Sequence, residues 1–193
     1  TRGSVSDVLL KKTDANNQNS NPTIGTGSLR RKAQWLNKYP GYKVENLRGN
    51  VQTRIEKLNQ SDWHGAIFAK AGLERMELLG NDYQVLDWMI PAPAQGAMLV
   101  VAMANDEFTR QALTELNDID TEVCTHIERQ FLKTLEGGCT APIGALATFI
   151  ENDIHFKGVL LSLDGKQKME IEKTVPMQEW KKLGYHCAME ILE

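Results

Sequence analysis

Apolar and polar positions alternate along this chain in short, regular blocks once residue 22 is passed. Thr23-Ile24-Gly25 reads as the end of a strand, residues 28–37 have helical composition, and Tyr39-Pro40-Gly41 stops that helix by removing a donor and permitting a turn. Residues 42–47 alternate as a strand does, Asn50 is a good N-cap for a helix through Leu58, residues 66–69 make a short apolar strand, and residues 73–79 a helix that Gly80-Asn81 can close. Strand and helix in turn, with short joints, predict parallel strands with right-handed crossovers. The expectation is an α/β domain over about residues 1–90, with helices on both faces of a mainly parallel sheet. Residues 11–21 hold no large apolar side chain and read as a solvated loop.

Pro91-Ala92-Pro93-Ala94-Gln95-Gly96 breaks the rhythm, because prolines so spaced favour extended backbone. Residues 97–104 are so apolar that they are expected to be a strand buried on both faces. From Asp120 onward, Val123, Ile127, Phe131 and Leu135 mark one face of a helix ended by Gly137-Gly138. Three strand-like runs follow at residues 144–150, 154–163 and 168–175, separated by Glu151-Asn152-Asp153 and Asp164-Gly165. They predict an antiparallel meander covered by a last helix from Met177 to about Leu192, hence a small α+β domain.

Charge adds one asymmetry. The net charge is −3, yet residues 30–57 hold eight Lys and Arg against Glu45 and Glu56, so that stretch carries +6 and the remainder −9. One region is built to meet anions. No apolar run approaches the roughly 18 residues of a membrane helix, and an acidic chain without a basic, aromatic-studded stripe is a poor nucleic-acid binder. Three cysteines, Cys124, Cys139 and Cys187, with no C-x-x-C pair, predict neither a disulfide framework nor a zinc ribbon, and a reducing cytoplasm is the default. Thr1-Arg2-Gly3-Ser4 has neither a signal h-region nor an initiating Met, which predicts a processed or excised piece of something longer.

Candidate chemistry gathers at three strand-to-helix joints. Gly25-Thr26-Gly27-Ser28-Leu29-Arg30-Arg31 places two arginines in a first helical turn, where they oppose the helix dipole, and a bound anion would explain them. Leu47-Arg48-Gly49-Asn50, with Arg54 one turn on, stands at the second joint, and Ala69-Lys70-Ala71-Gly72 at the third. Ligands of open α/β sheets sit beyond the carboxyl ends of the strands, so Ser28, Arg30, Arg31, Arg48, Asn50, Arg54 and Lys70 are expected to converge on an anion. Arginine forks suit carboxylates as well as phosphates. No G-x-x-x-x-G-K-[ST] run is present, and Gly25-x-Gly27 lacks the third glycine of a dinucleotide fingerprint.

In Gly137-Gly138-Cys139-Thr140-Ala141-Pro142, glycines and proline put Cys139 on a loop where a thiol can reach a ligand or tuck beneath it. Cys124 and Cys187 are read as packing residues. His64, His126, His155 and His186 stand at no metal-ligand spacing, and Glu136 and Asp106 are read as solvated surface. The residues by themselves leave two functions open: an enzyme using this site, or a reversible binding module for a dicarboxylate or other anion.

Five motifs in order, Thr26-Gly27-Ser28-Leu29-Arg30-Arg31, Leu47-Arg48-Gly49-Asn50-Val51-x-Thr53-Arg54, Ala71-Gly72-Leu73-Glu74-Arg75, Gln95-Gly96-Ala97 and Leu135-Glu136-Gly137-Gly138-Cys139-x-x-Pro142-Ile143-Gly144, resemble the hydroxymethylbilane synthase (porphobilinogen deaminase) family over nearly the whole chain. Gly27 stands where that family often has Ser, and Pro93-Ala94 where Val-Gly is more usual. The resemblance implies a transferase of tetrapyrrole (haem) biosynthesis that condenses four porphobilinogens head to tail, releasing ammonia at each addition. It implies a dipyrromethane cofactor held by a thioether to Cys139, with Thr26, Ser28, Arg30, Arg31, Arg48 and Asn50 around it, and Arg48, Arg54 and Arg75 toward the substrate. It further implies three domains. Residues 1–92 would be the second, resembling a lobe of a periplasmic binding protein, residues 93–117 a return segment packed in the first, and residues 118–193 the third. The first domain, with the catalytic aspartate, is expected upstream of Thr1. On that view this chain alone is inactive, lacks the cofactor and self-associates through its uncovered strand, whereas the complete protein is a cytoplasmic monomer.

Overall fold

In this computed structural model, which describes residues 1–12, 22–135 and 141–193, the first sheet has five short strands: β1 (Asp7–Lys11), β2 (Thr23–Gly25), β3 (Lys43–Glu45), β4 (Gly65–Ala69) and β5 (Tyr83–Val85). They lie in the order β3-β2-β4-β1-β5. β2 runs parallel to β3 and β4, with Ile24 beside Val44 and Gly65. β1 runs antiparallel to both its neighbours, Asp7 opposite Ala69 and Leu9 opposite Gln84. The expected mainly parallel sheet is therefore mixed. Helices separate β2, β3 and β4 in sequence and make them parallel, as crossovers require; β1 lies outside that run and enters the sheet in the other sense, and β5, antiparallel to β1, shares the direction of β4.

Helices α1 (Leu29–Lys38), α2 (Val51–Gln60) and α3 (Lys70–Arg75) cover the two faces. Successive strand residues point to opposite sides, so Leu9 and Ile67 join Ile24 and Trp35 under α1, while Val8 and Phe68 join Leu47, Leu58 and Leu73 under α2 and α3. Each such buried side chain contributes about 1.5–3 kcal/mol. α3 spans Lys70–Arg75 rather than residues 73–79: it starts directly from β4, and Glu77, with φ of 55°, turns the chain out of helical geometry.

Residues 97–104 form no strand. Met98, Leu99, Val100, Val101 and Met103 are 54–79% exposed, which overturns the expected burial on both faces. Apolar composition makes burial favourable only when a partner surface is at hand, and no strand among the described residues lies alongside. Helix α4 (Glu107–Thr114) follows. Its N-cap is Asp106, which accepts from the Thr109 N–H at 3.0 Å, so a carboxylate read as plain surface starts a helix.

The second unit begins with α5 (Ile119–Thr134), capped by Asp118. Then come β6 (Ile143–Ile150), β7 (Asp153–Leu161) and β8 (Lys168–Pro176), an antiparallel sheet in that order, as expected. The last helix is not continuous from Met177: a 3₁₀ segment, Met177–Lys182, leads into α6 (Leu183–Leu192), the tighter winding being common at helix ends. Ile127, Phe131, Phe156, Cys187 and Ala188 are fully buried between α5, α6 and the sheet.

The units meet along α1. Ala33 packs on Val159 and Leu161 of β7. The β7–β8 turn seats Gly165 against α1, where its carbonyl accepts from Asn37 Nδ2 at 2.7 Å.

Candidate functional site

Because β2, β3 and β4 are parallel, their carboxyl ends open on one edge of the sheet, and the joints after them bring Thr26–Ser28, Asn46–Asn50 and Lys70 together there. Ser28 Oγ accepts from the Arg31 N–H at 3.4 Å as the N-cap of α1, and Thr26 Oγ1 accepts from the Ser28 N–H at 3.2 Å. Asn50 Oδ1 accepts from the Thr53 N–H at 2.8 Å and caps α2. These three residues thus shape the turns from which the cations project. Thr26 is buried, Ser28 half-buried and Asn50 exposed.

Arg30 and Arg31 are buried, and the anion that accounts for them belongs to the chain itself. β1 runs against β4, so its first residue, Asp7, reaches the same edge. Asp7 Oδ1 accepts from Arg31 Nε at 3.0 Å and Nη2 at 2.8 Å, and Oδ2 lies 2.8 Å from Arg30 Nη1. Arg31 Nη1 also donates to the Ile67 carbonyl at 3.3 Å, and Arg30 Nη1 to the Ile90 carbonyl at 2.7 Å. Burial alone pushes the Asp7 carboxyl up, but the two guanidiniums outweigh it and hold it below its usual value. Burial and the neighbouring Arg31 pull Arg30 down, against Asp7. One carboxylate against two guanidiniums leaves one positive charge in excess. Arg30 Nε is buried without a hydrogen-bond partner among the described residues.

The second joint is more open. Arg48 and Asn50 are exposed and Arg54 is half-buried. Arg54 Nε donates to the Gly49 carbonyl at 2.8 Å and Lys57 Nζ to the Arg48 carbonyl at 2.9 Å, so two cations brace the loop that presents Arg48. Among the described residues the two terminal nitrogens of Arg54 make no hydrogen bond. Lys70 opens α3 at the edge, 3.5 Å from Glu74, whereas Arg75 ends that helix exposed and further from the edge. Cys139 and Glu136 lie outside the described residues.

Three residues at this site were not legible as functional: Asp7, Gln95 and Glu128. Gln95 Nε2 donates to the Val5 carbonyl at 2.7 Å and to Asp7 Oδ1 at 3.0 Å, and its Oε1 accepts from Arg30 Nη2 at 3.3 Å. Gln34 fastens the same segment, donating to the Ile90 carbonyl and accepting its N–H, each at 2.8 Å. Glu128, fully buried on α5, accepts the Ala94 N–H at 2.6 Å and the Ala147 N–H at 2.9 Å. The available signal was an unexplained Asp ahead of an apolar run, and a Glu beside Ile127 on the packed side of α5.

Chemically, the edge offers preorganised guanidinium forks, an excess positive charge and capped helix starts, a donor set for carboxylates. Such a donor set suits a ligand that carries several carboxylates. Cys124 and Cys187 are buried, and burial pushes both thiols up to about 11, which leaves them protonated and inert at neutral pH. Among the described residues no group of His, Cys, Asp and Glu could hold a metal ion, and no helix is long and apolar enough to cross a membrane.

The sequence of this chain is similar to those of known proteins. The model of the porphobilinogen deaminase dipyrromethane cofactor binding domain matches residues 1–111, and that of the porphobilinogen deaminase C-terminal domain matches residues 122–193. The chain is 42% identical over 156 residues to the chloroplastic porphobilinogen deaminase of Oryza sativa subsp. japonica, covering 79% of this chain and 44% of that one. It is 41% identical over 171 residues to the porphobilinogen deaminase of Carboxydothermus hydrogenoformans, covering 88% and 55%. With that of Listeria monocytogenes serotype 4a it shares 40% over 156 residues, covering 78% and 50%. The chain spans about half the length of the curated relatives it matches. With more than half of its length under one family model and most of the rest under the next, the chain belongs to the porphobilinogen deaminase family.

Proposed function

We propose that the protein carrying this chain is a hydroxymethylbilane synthase, which joins four porphobilinogens head to tail and releases ammonia at each addition. The observation that carries this reading is the pair of family models matched in order over residues 1–111 and 122–193. In it, residues 1–92 are a lobe like those of periplasmic binding proteins, residues 93–117 a return segment covered by the first domain, and residues 118–193 the domain bearing Cys139. The complete protein works as a cytoplasmic monomer.

Dipyrromethane, when bound through Cys139, supplies the primer to which pyrroles are added. Thr26, Ser28, Arg30, Arg31, Arg48 and Asn50 hold its carboxylates, and Arg48, Arg54 and Arg75 receive those of incoming porphobilinogen. Cations fixed before the ligand arrives need no reorganisation as it binds, which favours correct orientation of the reacting carbons. Asp7 offsets the mutual repulsion of two buried guanidiniums side by side.

The test is the denatured intact mass of the full-length protein with and without Cys139→Ala. An adduct of dipyrromethane size that vanishes in the variant is expected. A mass that stays unmodified after incubation with porphobilinogen would leave a reversible carboxylate-binding module instead.

A further inference from the structure

Gln95 sits on a turn that the backbone does not adopt freely. Ala94 before it has φ of 62° and Gly96 after it φ of 81°, the left-handed region that costs a residue with a Cβ. Two short bonds close the turn, Gln95 N–H to the Ala92 carbonyl at 2.9 Å and Ala97 N–H to the Ala94 carbonyl at 3.1 Å. Its outer side is fastened too. Ala94 N–H donates to Glu128, Arg2 Nε donates to the Gln95 carbonyl at 2.9 Å, and a Cβ on Gly96 would stand 2.5 Å from the Gly3 oxygen. Strain so thoroughly held in place marks a position where geometry is used.

What the turn achieves is the aim of one amide. Both Nε2 protons are committed, to the Val5 carbonyl and to Asp7 Oδ1, which leaves Oε1 facing Arg30 Nη2. Asp7 Oδ1 therefore accepts from Gln95 as well as twice from Arg31, and the carboxylate cannot rotate without breaking three bonds. We propose that Gln95 is a positioning residue for the Arg30–Arg31 pair, fixing the Asp7 carboxylate and with it the orientation in which the two guanidiniums meet a carboxylate ligand. This rests on the synthase reading for the identity of the ligand. It goes beyond it in assigning the alignment of the arginines to the side chain of the turn at Gln95.

The experiment uses Gln95→Ala and the similarly sized Gln95→Met in the full-length protein, with porphobilinogen as the probe and, as the readout, the porphobilinogen concentration that half-fills the cofactor site by denatured intact mass. Both variants are expected to raise that concentration about tenfold, the effect of one lost hydrogen bond to a charged group. A residue that only filled space would lower the melting temperature of Gln95→Ala, spare Gln95→Met and leave that concentration alone. A concentration within about twofold of the wild type in Gln95→Met overturns the proposal, whatever the melting temperatures. If wild-type protein does not consume porphobilinogen, the synthase reading fails by itself, and the Nε–H resonances of the arginines in this chain decide the alignment. Shifted Arg30 and Arg31 signals in Gln95→Met beside an unmoved Arg54 signal support it, and unmoved Arg30 and Arg31 signals refute it.

Discussion

Arg2 and Glu128 stand 126 positions apart and meet in a two-pronged ion pair, Nη1 to Oε1 at 2.8 Å and Nη2 to Oε2 at 2.9 Å. Glu128 is fully buried, and the Ala94 and Ala147 N–H groups take up its remaining acceptor capacity. One carboxylate thus ties the N-terminal segment, the turn at Ala94 and the outer edge of β6 to α5. Removing one member of a buried pair strands the other without compensation. Glu128→Ala is expected to destabilise by about 3–5 kcal/mol in denaturant unfolding, and Arg2→Met combined with Glu128→Met by clearly less than the two single changes together. A loss below about 0.5 kcal/mol for Glu128→Ala would mean that the pair carries no stability.

Asp7 gives a pH dependence with a definite sign. Its folded pKa lies below the ordinary carboxylate value of about 3.9, so the stability it contributes is fully present above that value and is lost as pH falls through the lower, folded one. Asp7→Asn is expected to cost about 3 kcal/mol at pH 7, with the gap from wild type closing below about pH 4 as the unfolded carboxyl takes up a proton while the native one stays ionised. Melting temperatures of both proteins between about pH 3 and 7 check this, and a gap that widens on acidification would contradict it.

Residues 98–103 present a run of apolar side chains to solvent. Uncovered apolar backbone is a template for pairing with another chain. By light scattering this chain is expected to self-associate, and Leu99→Lys with Val101→Lys to shift it toward monomer. Amide exchange over residues 97–103 is expected to be fast here and slow in the full-length protein. A clean monomer with slow exchange in the segment would refute both.

Gly165 has φ of 74°, and a Cβ there would fall 2.4 Å from the Ala33 oxygen and 2.8 Å from the Asn37 nitrogen. Gly165→Ala therefore strains the turn and pushes the second unit off α1, at an expected cost of about 2 kcal/mol. Asn37→Ala, which only deletes the hydrogen bond to the Gly165 carbonyl, is expected to cost about 1 kcal/mol. Equal effects in equilibrium unfolding would show that close packing at Gly165 is not what joins the units.

The resemblance placed Arg30, Arg31, Arg48 and Arg54 in one site before any coordinates, and the joints that carry them do share a sheet edge. Ser28 and Asn50 were legible because a cap acts on an N–H three residues ahead, within reach of any local reading. Asp7 was not, because its meeting with Arg31 depends on β1 lying antiparallel to β4, a pairing across nearly sixty residues. Glu128 read as one more charge on a helix, since nothing in its own neighbourhood announces that β6 will close over it.

Periodicity and capping are properties of a few consecutive residues, and through them the sequence alone determined α1, α2, α5 and the three-stranded meander, while the resemblance of five ordered motifs pointed to the family. Strand direction, the partner of each buried charge and the fate of an apolar run depend on what another part of the chain places beside it. That is why the mixed sheet and the Asp7 and Glu128 pairings emerged only in the tertiary structure: the same side chain is stabilising or costly according to a neighbour that lies far away in sequence.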